Sequence, residues 1–469
     1  MVDLLLRHGQ VLTLDPQRRI LADGAIAIAG GRIVAVGPDA DVSAAAGGAA
    51  PPASVRDLGG ALVHPGLVDG HNHTNSRAFR GFFPKGGADW SVVELATLDA
   101  MTPELERVSA QLSAMEMVAS GTTTYADTGG SIHLEETVAG VDSVGMRGLA
   151  GWFIVDAPDA LPAVRETTDG ALAKLREQID RYPFHGVPGE APPRVRSAVL
   201  LSGMGTDTEA LVIAARRLAD ERRVPLVMHQ SWSSSEVEAS LSAHGVRPVE
   251  RLHDLGILGP TTTLAHAIQL DDREVALLAQ TGTSVVHCPP ASVLRGVGAF
   301  RAGRFPELFA AGATVALGSD GGRGSKHDLA RAMYLAATVH REVRAEVPVF
   351  TPEQVLEMAT LHGARAVGMA GEIGSIEVGK RADLVIHALD RTESHPRLVD
   401  PVNALVYVMQ SATVDTVYVD GEAIYDRGRF TRLDQGAVFV AVDRLAWEFQ
   451  RRVGPGRFAT WPVIGGPDA

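Results

Sequence analysis

Leu62-Val63-His64-Pro65-Gly66-Leu67-Val68-Asp69-Gly70-His71-Asn72-His73 decides how this chain is read. It looks like a short apolar strand, Leu62–Val68, running through a turn into two histidines. Side chains two apart on an extended strand point the same way, so His71 and His73 can approach one metal ion from one side. A lone His-x-His is more often an ordinary loop. Here three later strand-like segments end in His, His and Asp, and that recurrence points to a site.

Outward from this stretch, apolar strands alternate with amphipathic helices. The strand candidates are Leu62–Val68, Thr122–Asp127, Gly148–Val155, Val195–Leu201, Pro225–His229, Thr262–His266, Ser284–His287 and Thr314–Leu317. Helical stretches such as Glu104–Ala119 and Glu209–Arg222 lie between them, and Gly121, Gly282 and Gly312 stand where helices should stop. Eight strands with intervening helices give the count for an α/β fold of the (β/α)8 TIM-barrel type. A doubly wound open sheet would use the same alternation. Residues 1–60 and 372–430 are strand-rich and separated by turn residues such as Asp23-Gly24 and Gly30-Gly31. They predict a small composite β-sandwich built from both chain ends. The expected division is 1–61 for its first part, 62–371 for the barrel, 372–436 for its second part and 437–469 for a helical tail, with one helix at Val438–Val453.

Composition narrows the function classes. The chain has 469 residues, 45% hydrophobic and 21% charged, as a globular protein should. A net charge of −13 without a basic cluster argues against nucleic acid and anionic membranes as partners. A single cysteine, Cys288, excludes an intramolecular disulfide and suits a reducing compartment. Met1–His8 lacks the basic start and apolar core of a signal peptide, and no apolar run is long enough to span a bilayer. A cytoplasmic location is expected, with a small-molecule substrate and further copies of the same chain, in a dimer or larger assembly, as partners.

Barrel enzymes place their chemistry at the C-terminal ends of the strands. Strand one gives His71 and His73, strand five His229, strand six His266 and strand eight Asp320. Imidazole and carboxylate donors suit zinc, iron or cobalt, and a catalytic site leaves a position open for water, whose pKa falls from 15.7 towards about 7.

The chain resembles the amidohydrolase superfamily, in the branch of cytosine, guanine and chlorotriazine deaminase-like enzymes. The resemblance rests on Pro65–His73, Ser120-Gly121-Thr122-Thr123-Thr124, Leu264-Ala265-His266, Val286-His287-Cys288-Pro289, Leu317–Gly321 and Ile373–Val385, in that order along the chain. It implies the barrel, the composite β-domain and a metal-dependent hydrolase. It makes His71, His73, His229 and Asp320 the metal ligands. His266 is then a histidine that stands behind the ligands or polarises substrate, with direct ligation left open. Binuclear members bridge two metals through a carboxylated lysine on strand four. Val195–Met204 contains no lysine, so one divalent ion is expected, zinc first, with iron, cobalt or manganese as alternatives.

One departure matters. Deaminases of this branch carry a glutamate three residues after the strand-five histidine. Here Trp232 holds that position, and tryptophan does no acid–base work. Glu236 lies further along and is expected to face elsewhere. The reading is therefore a hydrolase cutting the C–N bond of a small amide, urea or (thio)carbamate, akin to phenylurea and thiocarbamate herbicide hydrolases. Asp320 would take the water's proton and His266 would stabilise the oxyanion. The alternatives are a deaminase or dechlorinase of a purine, pyrimidine or triazine ring with a relocated acid, and a silent ligand-binding barrel. Gln230, Trp232, Arg80 and His287 are the substrate-contact candidates. Phe79, Phe82, Phe83, Trp90 and Trp152 would give an apolar or aromatic pocket. His327 and His340 are expected on a helix surface after strand eight, and Cys288 as a buried thiol.

Overall fold

A computed structural model describes residues 1–48, 51–82, 96–186, 190–321, 324–347 and 349–453. Phe83 and Trp90 lie outside them. The barrel strands run parallel and in sequence order: Leu67–Asn72, Thr122–Asp127, Arg147–Leu149, the split fourth strand Val195–Arg196 and Val199–Gly203, then Leu226–Gln230, Thr262–His266, Ser284–His287 and Val315–Leu317. The Asp320 N–H donates to the His71 carbonyl at 2.9 Å, which ties the end of strand eight to the end of strand one. That tie favours closure over an open sheet. The fold is a TIM barrel with an added β-domain.

The strand expected at Leu62–Val68 is two strands. Leu62–Pro65 belongs to a nine-stranded sheet, pairing parallel with Leu4–Leu12 and antiparallel with Leu384–His387, and the barrel begins at Leu67. The break falls at Gly66, where a Cβ would sit 2.0 Å from Thr123 Oγ1, so only glycine lets the chain cross the bottom of strand two. The third strand is shorter than expected, three residues rather than the span Gly148–Val155. Beyond Leu149 the backbone makes only isolated bridges, Ser131 with Trp152 and Val155 with Arg165.

Both chain ends build the nine-stranded sheet. Leu6, Ile26, Val63, Leu384 and Ile386 pack together in its core. Buried charges tie it to the barrel. Arg147, on strand three, donates to Asp383 at 3.0 and 3.2 Å and to Asp420 at 2.6 Å, and Arg381 reaches Asp420 at 2.6 Å and Glu372 at 2.6 Å. The tail helix spans Gln435–Val453 and packs Phe449 against Phe79 and Phe82, with ring centroids 4.6 and 5.2 Å apart. Those two phenylalanines therefore fill the helix layer rather than a substrate pocket. Among the described residues no helix is long and apolar enough to cross a membrane.

His327 and His340 are not on the surface; both are fully buried. His327 precedes the helix Leu329–Arg344, with its Nδ1 2.8 Å from the Ser113 hydroxyl. His340 sits within that helix, its Nε2 3.2 Å from His287 Nε2. The spacing of apolar residues along one helix does not distinguish an outward histidine from one facing a second layer of helices. Cys288 is buried as expected, and burial pushes its thiol pKa well up.

Candidate metal centre

Strand ends converge on one point at the mouth of the barrel. His71 and His73 leave strand one, His229 lies within strand five, His266 ends strand six and Asp320 follows strand eight. Ser231, His266 and Asp320 have positive φ values of 53°, 73° and 58°. Non-glycine residues occupy this region at a cost, and such strain gathers where side chains must be aimed.

The ligand-competent atoms fall into two overlapping groups, His71 with His229 and His266, and His71 with His73 and Asp320, each within 4.8 Å. Neighbouring contacts set which ring nitrogens face inward. His229 Nδ1 lies 2.6 Å from the Ser202 carbonyl, which accepts a hydrogen bond from the Nδ1–H, so the neutral ring presents a bare Nε2. His71 Nδ1 is engaged by the Thr128 hydroxyl, and His71 Nε2 is buried with no hydrogen-bond partner among the described residues. His73 Nδ1 lies 3.8 Å from Asp127 Oδ1, an arrangement that orients the ring with Nε2 inward. His73 Nε2 and His229 Nε2 then face each other at 3.2 Å. Two bare lone pairs at that distance repel unless a cation lies between them. Asp320 Oδ1 stands 3.5 Å from His71 Nε2 and 3.7 Å from His73 Nε2.

The ionisation states agree. Burial holds His73 and His229 below the ordinary imidazole range and takes His266 to about 3. Burial works against ionisation of Asp320, but Arg295 and the surrounding imidazoles outweigh it and hold that carboxyl well below its usual range. Neutral imidazoles, one carboxylate and an orphaned nitrogen suit a divalent metal ion. His266 is as close to this cluster as the four histidine and aspartate ligands implied by the resemblance, so proximity alone does not set it apart.

The family profile matches residues 62–424. The chain belongs to the amidohydrolase family. It is thus a metal-dependent hydrolase of the class acting on carbon–nitrogen bonds. It is 33% identical to the 5-methylthioadenosine/S-adenosylhomocysteine deaminase of Nitratidesulfovibrio vulgaris Miyazaki F, over 93% of this chain and 95% of the relative. The same-named enzyme of Syntrophobacter fumaroxidans is 32% identical over 95% and 98% of the two chains. A zinc-bound adenosine deaminase of Xanthomonas campestris superposes with a TM-score of 0.86 at 27% identity, covering 96% of this chain and 99% of that one. The atrazine chlorohydrolase of Arthrobacter aurescens TC1, at TM-score 0.84 and 24% identity over 94% and 100%, shares the fold.

The substrate-contact candidates divide. Trp232 is 39% exposed and lines a cavity of about 350 Å³ together with His73, His229, His266, Arg295 and Asp320. His287 is buried, stacked on Phe305 at 3.9 Å between ring centroids, and reaches a narrow crevice beside Trp232 and His266. Gln230 is buried and its amide donates to Glu236 at 3.1 Å. Arg80 is not on the cavity walls; it donates to Glu116 at 2.8 Å and braces the loop after strand one. One wall of the site is polar. Asn75, Ser76, Thr128 and Ser202 join Phe153 on one wall, while Trp152 packs partly into the core.

Glu236 overturns an expectation. Its carboxylate turns back to the strand end, accepting from the backbone N–H groups of Ser231 at 3.1 Å and Trp232 at 2.7 Å, and it lines the large cavity. Two helical turns along a helix would have carried it away, but the helix starts only at Ser234, so Glu236 lies in its first turn. Burial raises its pKa against the pull of the Trp232, Ser231 and Ser233 N–H groups. Sequence reading also missed Arg295 and Asp127. Arg295 leaves no spacing signature, whereas Asp127 ends strand two much as Asp320 follows strand eight.

Proposed function

We propose that this protein is a zinc-dependent aminohydrolase that releases ammonia from the exocyclic amine of a nitrogen heteroaromatic ring of the 6-aminopurine kind. His71, His73, His229 and Asp320 are its ligands, with His266 beside them. The observation that carries the reading is the Glu236 carboxyl on the wall it shares with His73, His229, His266 and Asp320. The amide, urea or carbamate reading rested on the lack of an acid near the site. With Glu236 present, and with purine-nucleoside deaminases among the relatives, its premise falls away.

The zinc, when bound, activates water at neutral pH. Asp320, ionised, accepts the proton of the attacking water. Glu236 donates a proton to the ring nitrogen, which lets the ring carbon accept the oxygen; Asp320 then passes the water's proton to the exocyclic amine, the C–N bond breaks with loss of ammonia, and Glu236 recovers a proton from the new hydroxyl as it becomes a carbonyl. His266, neutral, contributes one N–H to the charge that develops. Trp232 forms a flat wall for the ring.

The test is product analysis with zinc-loaded protein. Ammonia should be released from adenosine, 5′-methylthioadenosine or S-adenosylhomocysteine, with the inosine-type product forming at the same rate. Release of aniline from a phenylurea, without ammonia from any aminopurine, would return the function to the urea class.

A further inference from the structure

Glu236 is held by three donors, and they do not share its two oxygens evenly. Oε1 accepts from the Ser231 N–H and from the Gln230 amide, each at 3.1 Å, and Oε2 accepts from the Trp232 N–H at 2.7 Å. A carboxylate offers two acceptor positions on each oxygen. Both positions on Oε1 are therefore filled, and one on Oε2 is open. All three donors are neutral. Two are backbone groups, fixed by the turn from strand five into the helix Ser234–His244. The third is a side chain.

Gln230 ends strand five and is 1% exposed. Among the described residues its amide oxygen has no partner, so the bond to Glu236 is the polar contact that orients the side chain. A buried amide left half unpaired costs stability, and at this burial water does not compete for the bond that remains. Glu236 lines the large cavity, whereas Gln230 is not among the described residues on its walls. The amide expected to touch substrate is turned to the acid instead.

We propose that Gln230 is a positioning residue: by filling the second acceptor position of Oε1, it confines the transferable proton of Glu236 to Oε2. The proposal rests on Glu236 as the acid of the reaction. With that position vacant the proton can sit on either oxygen, and backbone donors alone hold the carboxyl. An N–H bonded to a carboxylate also favours its charged form, so removing the donor raises the pKa. Arg295, Asp320 and the imidazoles of His73, His229 and His266 share the cavity wall with Glu236, and a change at Gln230 leaves them all in place.

Gln230→Met keeps the length of the side chain and removes the donor; Gln230→Leu is the second variant if the first does not fold. Zinc content is matched, and a thermal melt checks the fold. The titration of Glu236 is followed by carbon NMR in zinc-loaded protein labelled at the glutamate carboxyl, its resonance being the one absent from Glu236→Gln. Ammonia release from adenosine, 5′-methylthioadenosine or S-adenosylhomocysteine is measured against pH beside it. The carboxyl should titrate about one pH unit higher in the variant, and the alkaline limb of kcat should move with it. At the same time kcat should fall about tenfold, with KM changed less. In the Glu236→Gln background the same substitution should cost less than about twofold, since its effect passes through that carboxyl. An unchanged titration overturns the proposal, and so do losses that add in full in the double variant. A raised titration with kcat and its pH limb unchanged would remove Glu236 from the reaction and leave its hold by Gln230 standing.

Discussion

Glu236→Gln separates a proton donor from a helix cap. The substitution keeps the shape of the side chain and removes its proton. In the wild type, Glu236 Oε1 accepts from Ser231 N and Gln230 Nε2 at 3.1 Å each, and Oε2 accepts from Trp232 N at 2.7 Å. The glutamine will turn its carbonyl to the Oε1 position, which keeps two bonds, and its amide NH2 will face the Trp232 N–H. One donor then loses its acceptor, at a cost of about 1–3 kcal/mol, near the low end because Trp232 is partly exposed to water. A lost general acid costs about 10²–10⁴ in rate, roughly 3–5 kcal/mol of barrier. Turnover should therefore fall far more than stability, with kcat reduced and KM changed less. The assay is steady-state ammonia release at matched zinc content, beside a thermal melt. The pH profile adds a second readout. An acid with a raised pKa is active while protonated, so the wild type should lose activity as pH rises through that pKa, and the variant should lack this limb. A variant with near-normal kcat and a lowered melting temperature would reduce Glu236 to a cap.

Protein purified without added metal should hold about one divalent ion per chain, since strand four, Val195–Arg196 and Val199–Gly203, has no lysine to bridge a second; two equivalents persisting through dialysis would refute this. Arg147→Met should destabilise the chain by about 3–5 kcal/mol in chemical denaturation, because it strands the buried Asp383 beside Asp420 without its cation; a loss below about 1 kcal/mol would show that Arg381 and Arg194, which pair with Asp420 at 2.6 and 3.1 Å, suffice. Burial raises Asp207 from 3.8 to about 8, against the pull of the Gly203 N–H. A group raised on folding contributes stability that is complete below its unfolded pKa and lost as pH rises through the folded one. Asp207→Asn should accordingly flatten the fall in melting temperature between pH about 4 and 8; an unchanged slope would show that Asp207 is ionised in the fold.

The sequence by itself determined the alternation of strands and helices that a barrel uses and the residues able to hold a metal, while closure of the barrel was decided by the tie between Asp320 and His71. Strand-length apolar runs ending in His71, His73, His229, His266 and Asp320 carry that information locally, because a strand end fixes the direction of its side chains. The composite β-domain was legible for the same reason, in strand-rich segments at both chain ends. Tertiary structure alone decided the rest. Gly66 splits one apolar run into two strands because Thr123, distant in sequence, occupies the space of a Cβ. Glu236 returns to the cavity because its helix begins late, and helix starts are set by caps that periodicity does not resolve. His327 and His340 are buried because a second layer covers faces that a single helix would expose. Arg295 reaches the metal cluster because strands seven and eight are neighbours in the barrel, and Asp320 and Gly321 then hold its guanidinium. Each of these facts depends on a partner far away in the chain, and no local spacing records it.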